Sequence, residues 1–307
     1  MRINVALLAV IMLSALLDGC ASPGAPHATS DNDYGVLVMA HGGPRHWNES
    51  VLSAAGSLKD KYRVEVAFGM ADAASLQESV RKLEAQGARR IGVVRLFVSG
   101  ESWYERTEQI LGVAAGAPSR PAQAGHHAHG AHGGHSMEFW RLDSQAAYAL
   151  SKQGLAESPL MDEVLADRAR ALSQRPALED VLILAHGPGD DAENARWIAY
   201  LEARTEALRR ALSFRRVQVE TLREDWPEKR KTAEARIREY VRQAADTGGR
   251  AIVIPFRVQG FGPYARVLQG LQYVSDGQGL LPHANVAKWM QDQAAALSEG
   301  PFKAAAP

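Results

Sequence analysis

Val36-Leu37-Val38-Met39-Ala40-His41-Gly42 and Val181-Leu182-Ile183-Leu184-Ala185-His186-Gly187 are two occurrences of one pattern, an apolar run that ends in Ala-His-Gly. Each run is continuously apolar rather than alternating, which is how a strand reads when helices cover both faces of its sheet. The downstream segments repeat as well. An amphipathic helical segment comes next, then a β-branched run (residues 63–67 or 216–219), then a charged helix (residues 75–86 or 227–245). A third apolar run, residues 91–98, corresponds to residues 251–258. Beyond it Gly100, Tyr104 and Arg106 align without a gap on Gly260, Tyr264 and Arg266. Residues 154–166 and 279–290 form the last matching pair, a loop entering a helix. The pattern predicts an α/β fold of two duplicated halves, each a parallel sheet of about four strands flanked by helices. The boundary falls near Pro176, giving halves at residues 34–175 and 176–307.

Residues 1–19 stand apart from this unit. Arg2 and an apolar run over residues 3–17 have the form of a secretory leader, shorter than the roughly 20 apolar residues of a spanning helix. The run ends Leu17-Asp18-Gly19-Cys20, which resembles a bacterial lipobox, so Cys20 is the expected lipidation site and residues 20–33 the expected flexible tether. The resemblance to bacterial lipoproteins implies export and a membrane anchor, and Ala21 in place of Asp implies the outer membrane, facing the periplasm. Cys20 is the only cysteine, which excludes an intramolecular disulfide and a cysteine-built zinc site. Acidic and basic residues balance at 35 each with no basic stripe, so no nucleic-acid partner is expected. No phosphate-cradling glycine loop follows any strand, so no nucleotide is expected either.

The stretch Leu37 to His41, followed by Gly42, Gly43, Pro44, Arg45 and Asn48, resembles the opening of the sirohydrochlorin chelatases, class II tetrapyrrole chelatases that insert cobalt or iron. Val66-Ala67-Phe68, the segment Glu84, Gln86 to Arg90, and Leu96-Phe97-Val98 are similar to that family too. The resemblance is strong over the first half and fainter over the second. It implies a chelatase-like fold, a tetrapyrrole held between the halves, and a divalent metal (Co2+, Fe2+ or Ni2+) as substrate. Two pyrrole protons must leave while the metal sheds water. A neutral imidazole that ligates a borderline divalent metal and accepts a proton suits that task. His41 matches the family's first histidine. The second is expected a few residues after the third strand, where this chain has Trp103, with Pro263 at the aligned position of the second half; neither ligates a metal. Glu101, two residues earlier, is the candidate replacement.

Each candidate has a plainer reading. His41 and His186 suit a strand-end turn as well as a metal, and duplication copies inert residues as faithfully as working ones. Glu101 suits a solvated loop. Arg45, Arg106 and Arg266 are candidate partners for macrocycle carboxylates or ordinary surface arginines. Tyr104 and Trp103 are candidates to lie against the macrocycle or simple packing. His46 lies one helical turn beyond His41 and is set aside. Residues 116–136 form a Gly-Ala-His insertion in which His126, His127, His129, His132 and His135 gather five of the ten histidines. Such imidazoles bind divalent ions without fixed geometry. The expected function is ATP-independent insertion of Co2+ or Fe2+ into a sirohydrochlorin-like tetrapyrrole. The alternative is a non-catalytic periplasmic carrier of metal or tetrapyrrole on the same fold, which export and the missing second histidine favour.

Overall fold

The computed structural model describes residues 33–122 and 137–305. Cys20 and the five clustered histidines lie outside the described residues. The first half runs β1 (Tyr34–Ala40), α1 (Arg45–Gly56), β2 (Arg63–Phe68), α2 (Ala73–Ala85), β3 (Arg90–Leu96), α3 (Tyr104–Ile110), β4 (Ala147–Leu150) and α4 (Leu160–Leu172). After a 3-10 turn at Pro176–Leu178 the second half repeats the order: β5 (Glu179–Ala185), α5 (Asp191–Ala211), β6 (Arg216–Thr221), α6 (Pro227–Asp246), β7 (Arg250–Phe256), α7 (Tyr264–Val267), β8 (Tyr273–Val274) and α8 (Ala284–Ser298). The sheets run β2-β1-β3-β4 and β6-β5-β7-β8, every pairing parallel. A short last strand, β9 (Lys303–Ala304), adds antiparallel to the edge of the first sheet. The four parallel strands expected of each half are present.

Register repeats with order. Ala40 pairs with Phe68 and Leu96, and Ala185 with Thr221 and Phe256, so His41 and His186 each follow the last paired residue of a central strand. Both β1 and β5 are buried along their whole length. Their alternate residues divide between two sides, as the strand period requires. Val36, Val38 and Ala40 share one core with Val181, Ile183 and Ala185, while Leu37 and Met39 pack under α2 and Leu182 and Leu184 under α6.

The shared core is closed by an exchange of helices. The helix α8 packs on β3 of the first sheet, and α4 packs on α5 and β7 of the second half. Met161, Val164 and Leu165 of α4 and Val286, Trp289 and Met290 of α8 fill the space between the sheets. The buried Tyr34 hydroxyl donates to the Ala294 carbonyl at 2.8 Å, tying the first strand to the last helix. The two halves therefore interlock, and the positions of the two His-Gly pairs are fixed against one another by a common core. Among the described residues no helix is long and apolar enough to cross a membrane.

Candidate active site

A cleft of 1860 Å³ opens at the carboxyl ends of both sheets, where parallel α/β folds place their ligands. His41, Gly42 and Gly43 line it from the first half, and His186, Gly187, Pro188 and Gly189 from the second. At each His-Gly pair the chain turns through a left-handed glycine, Gly42 at φ 79° and Gly187 at φ 77°, a conformation that a side chain disfavours. The turn brings the glycine carbonyl back to the imidazole. His41 Nδ1 lies 2.8 Å from the Gly42 oxygen, and His186 Nδ1 lies 2.7 Å from the Gly187 oxygen. A carbonyl only accepts, so Nδ1 donates in both rings. For a neutral His41 ring this leaves the lone pair on Nε2, the arrangement that a carbonyl partner imposes on metal-binding histidines.

The two imidazoles differ in their surroundings. His186 Nε2 lies 3.0 Å from Asp225 Oδ2 and 3.8 Å from Glu224 Oε2, and the Glu224 carboxylate is itself gripped by Arg257. The Nε2 side of His186 is therefore already engaged by a carboxylate. His41 is exposed, and its ring centroid lies 6.4 Å from that of Trp47. Among the described residues no group of three or more His, Cys, Asp or Glu side chains gathers to hold a metal ion.

Tryptophan dominates the walls. Trp47, Trp103, Trp140, Trp197 and Trp226 all line the cleft, five of the six in the chain, joined by Phe68, Phe97 and Phe261. Trp103 adopts a left-handed backbone, φ 59°, which is uncommon for a bulky residue and needs surrounding structure to hold it. Arg95 supplies that hold. Its buried guanidinium donates to the carbonyls of Gly100, Ser151 and Ser102 and lies over the Tyr104 ring at 4.7 Å, gathering the whole loop after β3. Burial pushes its pKa down to about 10.

Several expected site residues are placed elsewhere. Arg45 is exposed and pairs with Glu49 one turn along its own helix. Tyr104 packs under Arg95, away from the cleft lining. Arg106 donates to the carbonyls of Ala71, Met137 and Glu138 and lies over Phe139, so its charge fastens loops instead of meeting ligand carboxylates. None of these three lines the cleft. Glu101 does line the cleft, but Arg196 donates to both of its oxygens, at 2.7 and 2.6 Å, across the two halves. The Arg196 hydrogen bonds hold the Glu101 carboxyl below the usual range, which makes it a weaker proton acceptor than expected. His46, set aside on the sequence, lines the cleft. Sequence reasoning missed Glu193, Asp225 and Arg257, which line the cleft from the second half. Only Glu193 carried a readable signal: it follows His186 by the same interval that Asn48 follows His41.

Fold and cleft together define a two-half α/β protein with a chelatase-like fold. SirB from Bacillus subtilis with Fe3+ superimposes with a TM-score of 0.58 at 16% identity, covering 88% of this chain and 99% of that one. The sirohydrochlorin chelatase SirB from Bacillus subtilis subspecies spizizenii in complex with cobalt gives 0.56 at 11% identity, covering 88% and 97%. A multi-domain protein of Deinococcus radiodurans with structural similarity to chelatases gives 0.53 at 19%; the match covers 86% of this chain but 55% of that longer one. No curated protein sequence matches the chain. Residues 35–172 match the CbiX family model. The match is confined to the first half, and the SirB structures share the fold of the whole chain.

Proposed function

We propose that this protein inserts a divalent metal, Co2+ or Fe2+, into a sirohydrochlorin-like tetrapyrrole bound between its halves. The observation that carries this reading is the cleft wall, with five tryptophans around two imidazoles at strand ends. Flat indole faces suit a conjugated macrocycle, and the cleft exceeds the roughly 300–1,000 Å³ of ordinary small-ligand pockets. His41 then holds the metal through Nε2, and once the metal has passed to the pyrrole nitrogens the same lone pair accepts a pyrrole proton, with Nδ1 anchored on Gly42 so that the ring keeps its aim. The match of residues 35–172 to the CbiX family model and the iron and cobalt bound by the SirB structures support the metal class. A carrier that binds without turnover is the second reading, favoured by Trp103 where the family's second histidine is expected and by the pairing of Glu101 with Arg196. Tetrapyrrole binding is tested by adding metal-free sirohydrochlorin and following tryptophan emission. Saturable quenching, reduced by Trp197→Phe and Trp226→Phe, is expected; no quenching removes both readings.

We also propose export through the leader with Cys20 as anchor, and a metal-gathering role for the histidine tract. Arg120 on one flank of the tract and Glu138 and Trp140 on the other line the cleft, and Arg141 N donates to the Pro118 carbonyl at 2.7 Å between the flanks. Deleting residues 125–135 is expected to lower the bound Co2+ or Ni2+ per chain while leaving the thermal midpoint within about a degree, since a Gly-Ala-His sequence offers few large apolar side chains to a core. Equilibrium dialysis and calorimetry check this, and a fall of many degrees would contradict it.

A further inference from the structure

Insertion releases two pyrrole protons, and His41 accounts for one of them. Glu101 is held by Arg196. A different carboxylate faces the same space. Glu193 sits in the first turn of α5 and lines the cleft, half-buried. It follows His186 by seven residues, the interval at which Asn48 follows His41. In the first half, Asn48 Oδ1 accepts from Gly43 N at 2.9 Å and closes the His-Gly loop. In the second half, Arg223 and Lys229 hold the corresponding loop through the Pro188 and Gly189 carbonyls, and Glu193 takes no part in closing it. The Glu193 backbone N–H is fixed on Asp190 Oδ1 at 2.8 Å, and Trp197 Nε1–H donates to the side chain at 3.2 Å. A carboxylate has room for about four hydrogen-bond donors, so one indole leaves most of that capacity for a substrate N–H. Burial raises its affinity for protons, and the negative charges of Glu101 and Asp190 add to this; the Trp197 bond and the Arg196 charge oppose it in part. A carboxylate shifted upward is the better general base near neutral pH.

Resting on the chelatase reading, we propose that Glu193 is the second proton acceptor of the cleft. One pyrrole N–H bond breaks, its electron pair stays on nitrogen to bind the metal, and the proton passes to a Glu193 oxygen and then to solvent at the cleft mouth. Glu193→Gln keeps an oxygen for Trp197 but cannot take the proton. In Co2+ insertion into sirohydrochlorin, this variant is expected to lose kcat roughly a hundredfold, with KM and tryptophan quenching unchanged and partial recovery in Glu193→Asp. The wild-type rate should fall on acidification as this carboxyl becomes protonated, and that limb should be missing from the variant. An unchanged kcat and pH profile in Glu193→Gln, beside a wild type that turns over, overturns the inference alone. A loss of binding that matches the loss of kcat also overturns it, by making Glu193 a substrate contact. A wild type that binds sirohydrochlorin without inserting metal overturns the chelatase reading and this inference with it.

Discussion

His41→Ala should lower Co2+ insertion by at least roughly a hundredfold, the loss expected for a positioned proton acceptor. Placement is the reason. His41 follows the central strand of the half that matches the family model, and the Gly42 carbonyl at 2.8 Å fixes its ring so that Nε2 presents the lone pair of the neutral form. The side chain is exposed, so its removal takes little apolar surface from the core and the circular dichroism and thermal midpoint should stay close to wild type. His186→Ala should cost much less, because Asp225 and Glu224 already crowd that ring. Equal and small losses from both substitutions in a protein that still binds tetrapyrrole would remove His41 from the chemistry.

Asp180→Ala should produce the largest loss of stability. Asp180 opens β5 with its side chain fully buried, and Arg215 and Arg216 both donate to it, the nearest contact with Arg215 at 2.7 Å. Removing the carboxylate leaves two guanidiniums facing each other without their shared anion. The cost for a buried pair is about 3–5 kcal/mol, and about 3 kcal/mol is expected here because both arginines keep some contact with water. This corresponds to a fall of roughly 5–10 °C in the thermal midpoint. Burial tends to raise the pKa of Asp180, but the hydrogen bonds and charges of the two arginines outweigh it and hold the carboxyl below the usual range. A group depressed in the folded state stabilises above its unfolded pKa, near 3.9, and loses that contribution as pH falls through the folded value. The wild type should therefore lose stability on acidification in that window, and the variant less. A variant that melts with the wild type at neutral pH would show that the arginines find other partners without cost.

The strands and the repeat were legible because they depend on local pattern. Val36 to Met39 and Val181 to Leu184 are apolar throughout, and a strand covered on both faces has no other way to read. The fourth strands were less visible, since β4 and β8 are short and Tyr273–Val274 has no run behind it. The exchange of α4 and α8 was not legible. Either helix shows the sequence one apolar face, and nothing in Met161, Val164, Trp289 or Met290 says which sheet that face meets.

The site divides in the same way. His41 and His186 were found because each ends a strand, and strand ends are where such folds place ligands. The alignment of Arg106 and Tyr104 with Arg266 and Tyr264 reports duplication and says nothing of the direction of their side chains. Arg106 turns to three carbonyls, and Tyr104 turns under Arg95. The pairing of Glu101 with Arg196 joins residues of different halves, and such a contact leaves no mark on local sequence. Of the five cleft tryptophans only Trp103 stood out in the sequence, and they meet only in the folded cleft.

The most direct test of metal insertion is a multiple-turnover assay with purified protein, Co2+ and an excess of sirohydrochlorin, followed by absorbance. A chelatase built around His41 should accumulate cobalt-sirohydrochlorin well beyond the amount of protein, at a rate proportional to protein concentration and lost in His41→Ala. Product that stops at the amount of protein, or forms no faster than in buffer, would contradict catalysis and leave a carrier.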